Sequence, residues 1–478
     1  MGKASRKKQE LHSGVDGQGR PLFPGTMSSA RQVSGVPLTW LLAVLVAAFW
    51  VGAHLLGPYS YLAGIGYLMF GILLGALHPL LGAGVTIALV PFYGGEMSQG
   101  LGELLRSAPM FGSAVRLLYD RISHRGDGST PWAPDVRVVV AAILVMLLYP
   151  LTRVTANGAE WAPAQTFLDD MLFLIGAPVA MYATWITISH LPRTAVDRLL
   201  SMLPLALVAA LVVALGAWAG ITLLDPIAFK GVQYGRLAAL GFPTPTGMGI
   251  AIALPLATGA LWSQSRRVAI SLILLGVAVI ILTESRGPLL ALVASAGVMT
   301  LLSGRVPRRY VAAGALLAVS AVALLLYVRY PDLLRKLSNG KLPKLSGDEH
   351  RITSWRAGIQ IALEHPITGG GWMSVRGWNA GELGRKNVNL SHNIVLQGLA
   401  DGGFLLGGTV AAVIFSSLRS GWARRRAIPI YWIGAAVALV VCGLWDMPQL
   451  RAYAAVMGGL ALGLVARGAE GELDAEQQ

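Results

Sequence analysis

Charge is scarce in this chain. Only 13% of its 478 residues are Asp, Glu, Lys or Arg, and 54% are hydrophobic, whereas a soluble protein carries about 25% charged residues. The shortage excludes an ordinary soluble globule. Alternation is missing too, because the apolar residues come in solid blocks, and that excludes a transmembrane β-barrel. The blocks approach the roughly 20 residues that a helix needs to cross a bilayer. The expected fold is therefore all-α, a polytopic helical membrane protein. Cysteine is almost absent: Cys442 stands alone in an apolar run. No intrachain disulfide can form, and cysteine usage leaves the redox compartment open. There is also no phosphate-binding Gly-Lys-Ser/Thr loop, no His-Glu-x-x-His and no zinc spacing. The net charge of +14 does not indicate nucleic acid, because the basic residues cluster in short loops between apolar blocks, as orientation signals do.

Candidate spans lie at approximately 38–56, 61–77, 80–93, 137–152, 166–187, 201–224, 246–262, 268–284, 287–302, 310–328, 394–417, 427–446 and 452–467. Residues 1–36, with Lys3, Arg6, Lys7 and Lys8, are expected to form a disordered basic cytoplasmic arm that touches anionic lipid. They are too long and too polar for a simple signal peptide. Residues 37–328 hold most of the transmembrane helices and 394–467 the rest, and the acidic 468–478 tail is solvated in the cytoplasm. Arg266 and Arg267, then Arg305, Arg308 and Arg309, then Arg419, Arg424, Arg425 and Arg426 mark cytoplasmic loops. The Ser285-Arg286 turn between the first two loops must face the other side. The span 310–328 leaves the cytoplasm and 394–417 returns, so 329–393 is expected to be a large external loop ending at His392. The first half is less clear. Spans before residue 94 place 94–136 outside, while Arg106, Arg116, Arg121, Arg125 and Arg137 pull it inside. Either 80–93 is re-entrant, or 104–120 is a weak crossing or interfacial helix. About twelve crossings are expected in all. Two smaller external segments, 153–165 with Trp161 and 225–245 with Lys230, Tyr234 and Arg236, are candidate pocket linings.

Two polar breaks carry the chemistry. The first is Thr283-Glu284-Ser285-Arg286-Gly287-Pro288. Proline suits the first turn of a helix and Ser285 is a fitting N-cap. The following span thus presents free N–H groups and a positive dipole end beside a guanidinium, which together bind phosphate. The competing reading is a snorkelling arginine paired with Glu284 or lipid headgroups. The second break, Ser391-His392-Asn393, sits where the external loop re-enters the membrane, with Ser391 as the expected cap. A helix N-terminus disfavours imidazolium, and a neutral imidazole is what a general base needs. A merely structural histidine is the alternative. Within the loop, His350 to Glu364 reads as an amphipathic helix on which Arg351 and Trp355 share a face. Arg351 is placed to meet an anion, with Arg356 beside it, or else the helix is a plain interfacial one with its belt of Arg and Trp. Asp401 lies nine residues past His392, half a turn out of phase on a regular helix. It is therefore not expected to orient the imidazole, although Gly402 and Gly403 can distort the helix there.

Taken together, Thr283-x-Ser285-Arg286-Gly287, Arg351-x-x-x-Trp355, Pro366-x-x-Gly369-x-Gly371-Trp372 and His392-Asn393-x-x-Leu396-Gln397, ahead of an acid and glycines, resemble the O-antigen ligase and polymerase superfamily over roughly residues 270–410. Ligases follow the His-Asn pair, nine residues on, with Gly-x-x and then Gly, Thr or Tyr. Here Gly403 fits and Leu406 does not, which weakens the ligase branch more than the superfamily. The resemblance implies a membrane glycosyltransferase of the GT-C type in the bacterial inner membrane, with its active site facing the periplasm. Such an enzyme takes a glycan en bloc from undecaprenyl diphosphate, inverts the anomeric carbon and uses neither cofactor nor metal. Its acceptor is lipid A-core for a ligase and another lipid-linked repeat unit for a polymerase. By the same resemblance His392 deprotonates the acceptor hydroxyl and Arg286 and Arg351 bind the donor diphosphate, with Ser285, Trp355, Arg356 and Asn393 in support. Early external acids that hold a metal in other membrane glycosyltransferases have no counterpart in the turn Gly57-Pro58-Tyr59-Ser60, and Asp169, Asp170 and Asp225 are the remaining candidates for that role. A transporter of lipid-linked sugars is the rival class. It calls for mid-membrane charges lining a path and for repeat symmetry, whereas the key polar groups here cluster at one face and no strong internal repeat is present.

Overall fold

A computed structural model describes residues 60–92, 99–123, 136–155, 167–222, 232–233, 235–238, 243–303, 348–372, 374–375, 390–426, 428–448 and 451–467, with the single positions 48, 240 and 378. The 1–36 arm, the expected spans 38–56 (apart from position 48) and 310–328, residues 329–347 and 379–389 of the large loop, Trp161, Asp225, Lys230, Tyr234 and the 468–478 tail lie outside the described residues.

The described chain is almost wholly helical. In order it forms α1 (Ser60–Leu77), α2 (Pro79–Leu89), α3 (Gln99–Ser123), α4 (Val136–Thr155), α5 (Phe167–His190) and α6 (Arg193–Trp218). A two-stranded antiparallel hairpin follows, β1 (Val232–Gln233) and β2 (Arg236–Leu237). Then come α7 (Pro243–Trp262), α8 (Arg266–Leu282), α9 (Arg286–Ser303), α10 (Asp348–Glu364), α11 (Ile394–Ala423), α12 (Ile430–Trp445) and α13 (Ala452–Arg467). Among the described residues α6, α7, α9 and α11 are each long and apolar enough to cross a membrane, and α2, α12 and α13 are shorter apolar helices. Large apolar side chains stand exposed on the helix flanks, Leu205 at 75%, Leu274 at 66% and Phe415 at 66%, as they would against lipid. This is a multi-pass helical membrane protein.

Every residue of α13 is buried, as befits a helix that is apolar all round. It packs closely against α5 and also touches α7, α11 and α12. Gly459 and Gly463, one turn apart, lie directly over the backbone carbonyls of Met181 and Trp185, the close approach that small residues permit between membrane helices. Trp185 Nε1 donates to Ser417 Oγ at 3.2 Å and joins α5 to α11. At the start of the chain, α2 has 11 residues, about 16 Å at 1.5 Å per residue, too short to cross. By contrast α3 is a 25-residue helix packed along both α1 and α5. The region that the sequence left open thus holds both a short helix and a long, well-packed one.

The largest irregularity is inside α11. Gly402 (φ −133°, ψ 17°) and Gly403 (φ 59°, ψ −153°) are not helical, and the backbone groups freed there need partners. The glycine loop after α10 supplies them. Gly370 N donates to Ala400 O at 2.8 Å, Gly371 N to Asp401 O at 3.0 Å, and Phe404 N to Pro366 O at 2.7 Å. Gly369 (φ +67°) lies against the Gly402 and Gly403 amides, and Gly403 lies against the Ile367 carbonyl. Neither position has room for a Cβ. Trp372 N donates to Thr152 O at 3.0 Å and anchors the same loop on α4.

Gly403→Ala is expected to lower the melting temperature of the detergent-purified protein, with at least about 1–3 kcal/mol lost to the backbone conformation alone. Gly297→Ala, where a Cβ meets nothing within 4 Å, should leave it near wild type. Equal melting temperatures would show that the loop and the kink are not interlocked.

Candidate active site

His392 is held by its neighbours on both sides. Helix α11 starts at Ile394, so its cap is Asn393, whose Oδ1 accepts from Val395 N at 3.1 Å and Leu396 N at 2.9 Å. Ser391, expected as the cap, is one residue too early. Its N–H instead donates to Gln397 Oε1 at 2.7 Å and its hydroxyl to Asn393 O at 3.2 Å. Gln397 Nε2 in turn donates to both oxygens of Asp401 at 2.8 Å. Asp401 therefore braces the backbone before His392 and does not touch the ring.

The carboxylate that does touch it is Asp446, at the C-terminal end of α12. His392 Nδ1 lies 3.3 Å from Asp446 Oδ1. Asp446 is fixed by its own N–H donating to Cys442 O at 2.8 Å and by Met447 N donating to Oδ1 at 2.9 Å. Burial pushes the Asp446 carboxyl up. The hydrogen bond and charge of His392, the Arg351 guanidinium and the Met447 N–H outweigh burial and hold it below the usual carboxylate range. A carboxylate at Nδ1 selects the tautomer protonated there. Nε2 makes no hydrogen bond among the described residues, and the side chain is 36% exposed.

Trp445 brings the other segments to this pair. The Trp355 ring on α10 packs against it with centroids 5.9 Å apart, one turn from Arg351. The inward face of α10, Ser354, Ala357, Gly358 and Ile361, is buried, with Gly358 against Leu396 of α11. That seating puts Arg351 within electrostatic reach of Asp446. Gly287, next to Arg286, also sits on Trp445, where an added Cβ would lie 3.5 Å from the tryptophan Cβ. The start of α9, the start of α10 and the start of α11 thus meet at the end of α12. Arg356 is exposed and makes no hydrogen bond or ion pair among the described residues.

Ser285 occupies the position before α9 and is buried, its Oγ accepting from Arg236 Nη2 at 2.7 Å. Arg236 Nε donates to Thr283 O at 2.7 Å. The β-hairpin therefore clamps the turn that carries Arg286. Among the described residues two non-glycine residues have positive φ, Glu284 at 50° and His392 at 52°. Such conformations cost about 1–3 kcal/mol and persist where surrounding contacts impose them. They fall in the same two breaks that the sequence singles out.

The sequence reading missed Asp446 and Trp445. Asp446-Met447-Pro448 is a third polar break closing an apolar run, at the same face as the other two, and that pattern was the available signal. Asp169 and Asp170 lie in the first turn of α5, and Asp225 lies outside the described residues.

Residues 270–411 match the family model described as O-antigen ligase, nearly the 270–410 interval marked out by the motifs. No curated protein matches the chain. The matched interval contains Arg286, Arg351 and His392, whereas Asp446 lies beyond it.

A carboxyl whose folded pKa is depressed contributes stability that is present above its unfolded pKa, about 3.9, and lost as pH falls through the folded value. The gap in melting temperature between wild type and Asp446→Asn should shrink as pH falls below about 4. A gap that widens on acidification would contradict the depressed carboxyl.

Proposed function

We propose that this protein, whose segment 270–411 is of the O-antigen ligase superfamily, transfers a glycan en bloc from undecaprenyl diphosphate to an acceptor hydroxyl at the periplasmic face of a bacterial inner membrane. The reading rests above all on one observation, the His392–Asp446 pair at the junction where the starts of α9 and α10 bring in Arg286 and Arg351. His392 Nε2 takes the proton of the acceptor hydroxyl, and Asp446 offsets the positive charge that then develops on the ring. The acceptor oxygen forms a bond to the anomeric carbon as the bond from that carbon to the diphosphate oxygen breaks. Attack opposite the leaving group inverts the centre. Negative charge develops on the undecaprenyl diphosphate, and Arg286 and Arg351 neutralise it where the dielectric is low, a contribution that can reach several kcal/mol. The undecaprenyl tail lies along the lipid-facing helices, so the donor never leaves the bilayer.

The acceptor is lipid A-core if the protein is a ligase and a second lipid-linked repeat unit if it is a polymerase. The buried Leu406, where ligases carry Gly, Thr or Tyr, favours keeping the polymerase as the second reading.

Transfer assayed in detergent with purified lipid-linked glycan tests the reading, since transfer needs one compartment and transport needs two. His392→Ala should abolish turnover with expression and insertion intact. Asp446→Asn should lower kcat by about 10²–10⁴ with KM little changed. Arg286→Lys should be severely impaired, because an ammonium cannot reproduce bidentate phosphate contact. EDTA should leave the rate unchanged. Normal transfer by His392→Ala would remove the proposed base, and loss of activity in EDTA would call for a metal.

A further inference from the structure

Helices α9, α11 and α12 all have one end at the candidate active site. Their other ends, at Ser303, Ala423 and Ile430, meet at the opposite face, about 27 Å away over the 18 residues of α9 at 1.5 Å each. A cavity of about 580 Å³ opens there, lined by Leu302, Ser303, Arg425, Arg426, Ile428 and Ile430. Cations and apolar side chains share the lining, which includes no carboxylate among the described residues. Arg425 is set in place by two contacts. Its Nη1 donates to Trp422 O at 3.0 Å and its guanidinium lies over the Trp422 ring, 5.0 Å from the centroid. Arg426 is exposed and has no ion-pair or hydrogen-bond partner among the described residues. Trp422 is 56% exposed, on the outer side of the same helix end, where an indole marks the headgroup level.

We propose that this cavity is a binding site for the phosphate headgroup of an anionic phospholipid in the leaflet opposite the active site. Arg425 and Arg426 contact the phosphate, and the apolar wall of Leu302, Ile428 and Ile430 receives the glycerol and the first methylenes. A guanidinium pair beside an apolar wall at the ends of membrane-length helices matches a ligand that is charged at one end and apolar at the other. A free inorganic anion would use the arginines and leave the wall unmatched. The bound lipid ties the end of α9 to the α11–α12 turn, and so braces the helices that meet at Trp445 and His392.

Full-length protein in nanodiscs of phosphatidylcholine, with and without phosphatidylglycerol, tests the site by melting temperature and by native mass spectrometry of retained lipid. Wild type should melt higher with phosphatidylglycerol and retain it. Arg425→Gln and Arg426→Gln should each weaken that retention by about tenfold or more, the loss of a charge-assisted hydrogen bond to the phosphate. Arg419→Gln, which removes an exposed charge near the end of α11 outside the cavity, should retain lipid like wild type. Equal weakening in Arg419→Gln would overturn the site in favour of diffuse charge attraction. Equal retention in all three variants would overturn it outright. Stabilisation by inorganic phosphate in phosphatidylcholine nanodiscs, matching that by phosphatidylglycerol, would overturn the lipid in favour of a soluble anion.

Discussion

Inside a bilayer every backbone polar group must find a partner within the protein, and that constraint organises this molecule. Helix α11 breaks at Gly402 and Gly403, and the glycine loop after α10 takes up the freed groups through Gly370, Gly371 and Pro366. The loop cannot leave without exposing them, and the kink cannot straighten without evicting the loop. This interlock seats α10 on α11, which carries Arg351 and Trp355 to the end of α12. It also fixes Asp401, through Gln397, as the brace behind Ser391 and His392.

The imidazole and its carboxylate balance two opposed effects. Burial favours a neutral Asp446, and the cluster of His392, Arg351 and the Met447 amide keeps it ionised. Removing one member of such a group leaves the others without the partner that balances them. The left-handed backbone at Glu284 and His392 is tolerated because the hairpin and Arg236 on one side, and the Asn393 cap on the other, hold each break in position.

The helices were legible in the sequence because apolar blocks and polar breaks are local properties. The expected spans 137–152, 166–187, 246–262 and 452–467 correspond closely to α4, α5, α7 and α13. The breaks at Arg286 and His392 were legible for the same reason, being charges in an apolar context. Cap identity was not, since a shift of one residue separates Ser391 from Asn393 and both are good capping residues. The link from His392 to Asp446 was hidden because it depends on how α11 and α12 pack. Asp401 drew attention by being near in sequence, while the acid that touches the ring lies on another helix. Arg236 was visible as an external cation, but its grip on Ser285 needed the hairpin.

The histidine and its carboxylate are 54 residues apart in the chain. A ribosome adding about 5–20 residues per second makes His392 roughly 3–10 s before Asp446. During that interval Arg286, Arg351 and the imidazole already exist, and the carboxylate that contacts the ring does not. The ordering of the chain thus works as a timer: the His392–Asp446 contact can close only once α12 has been made.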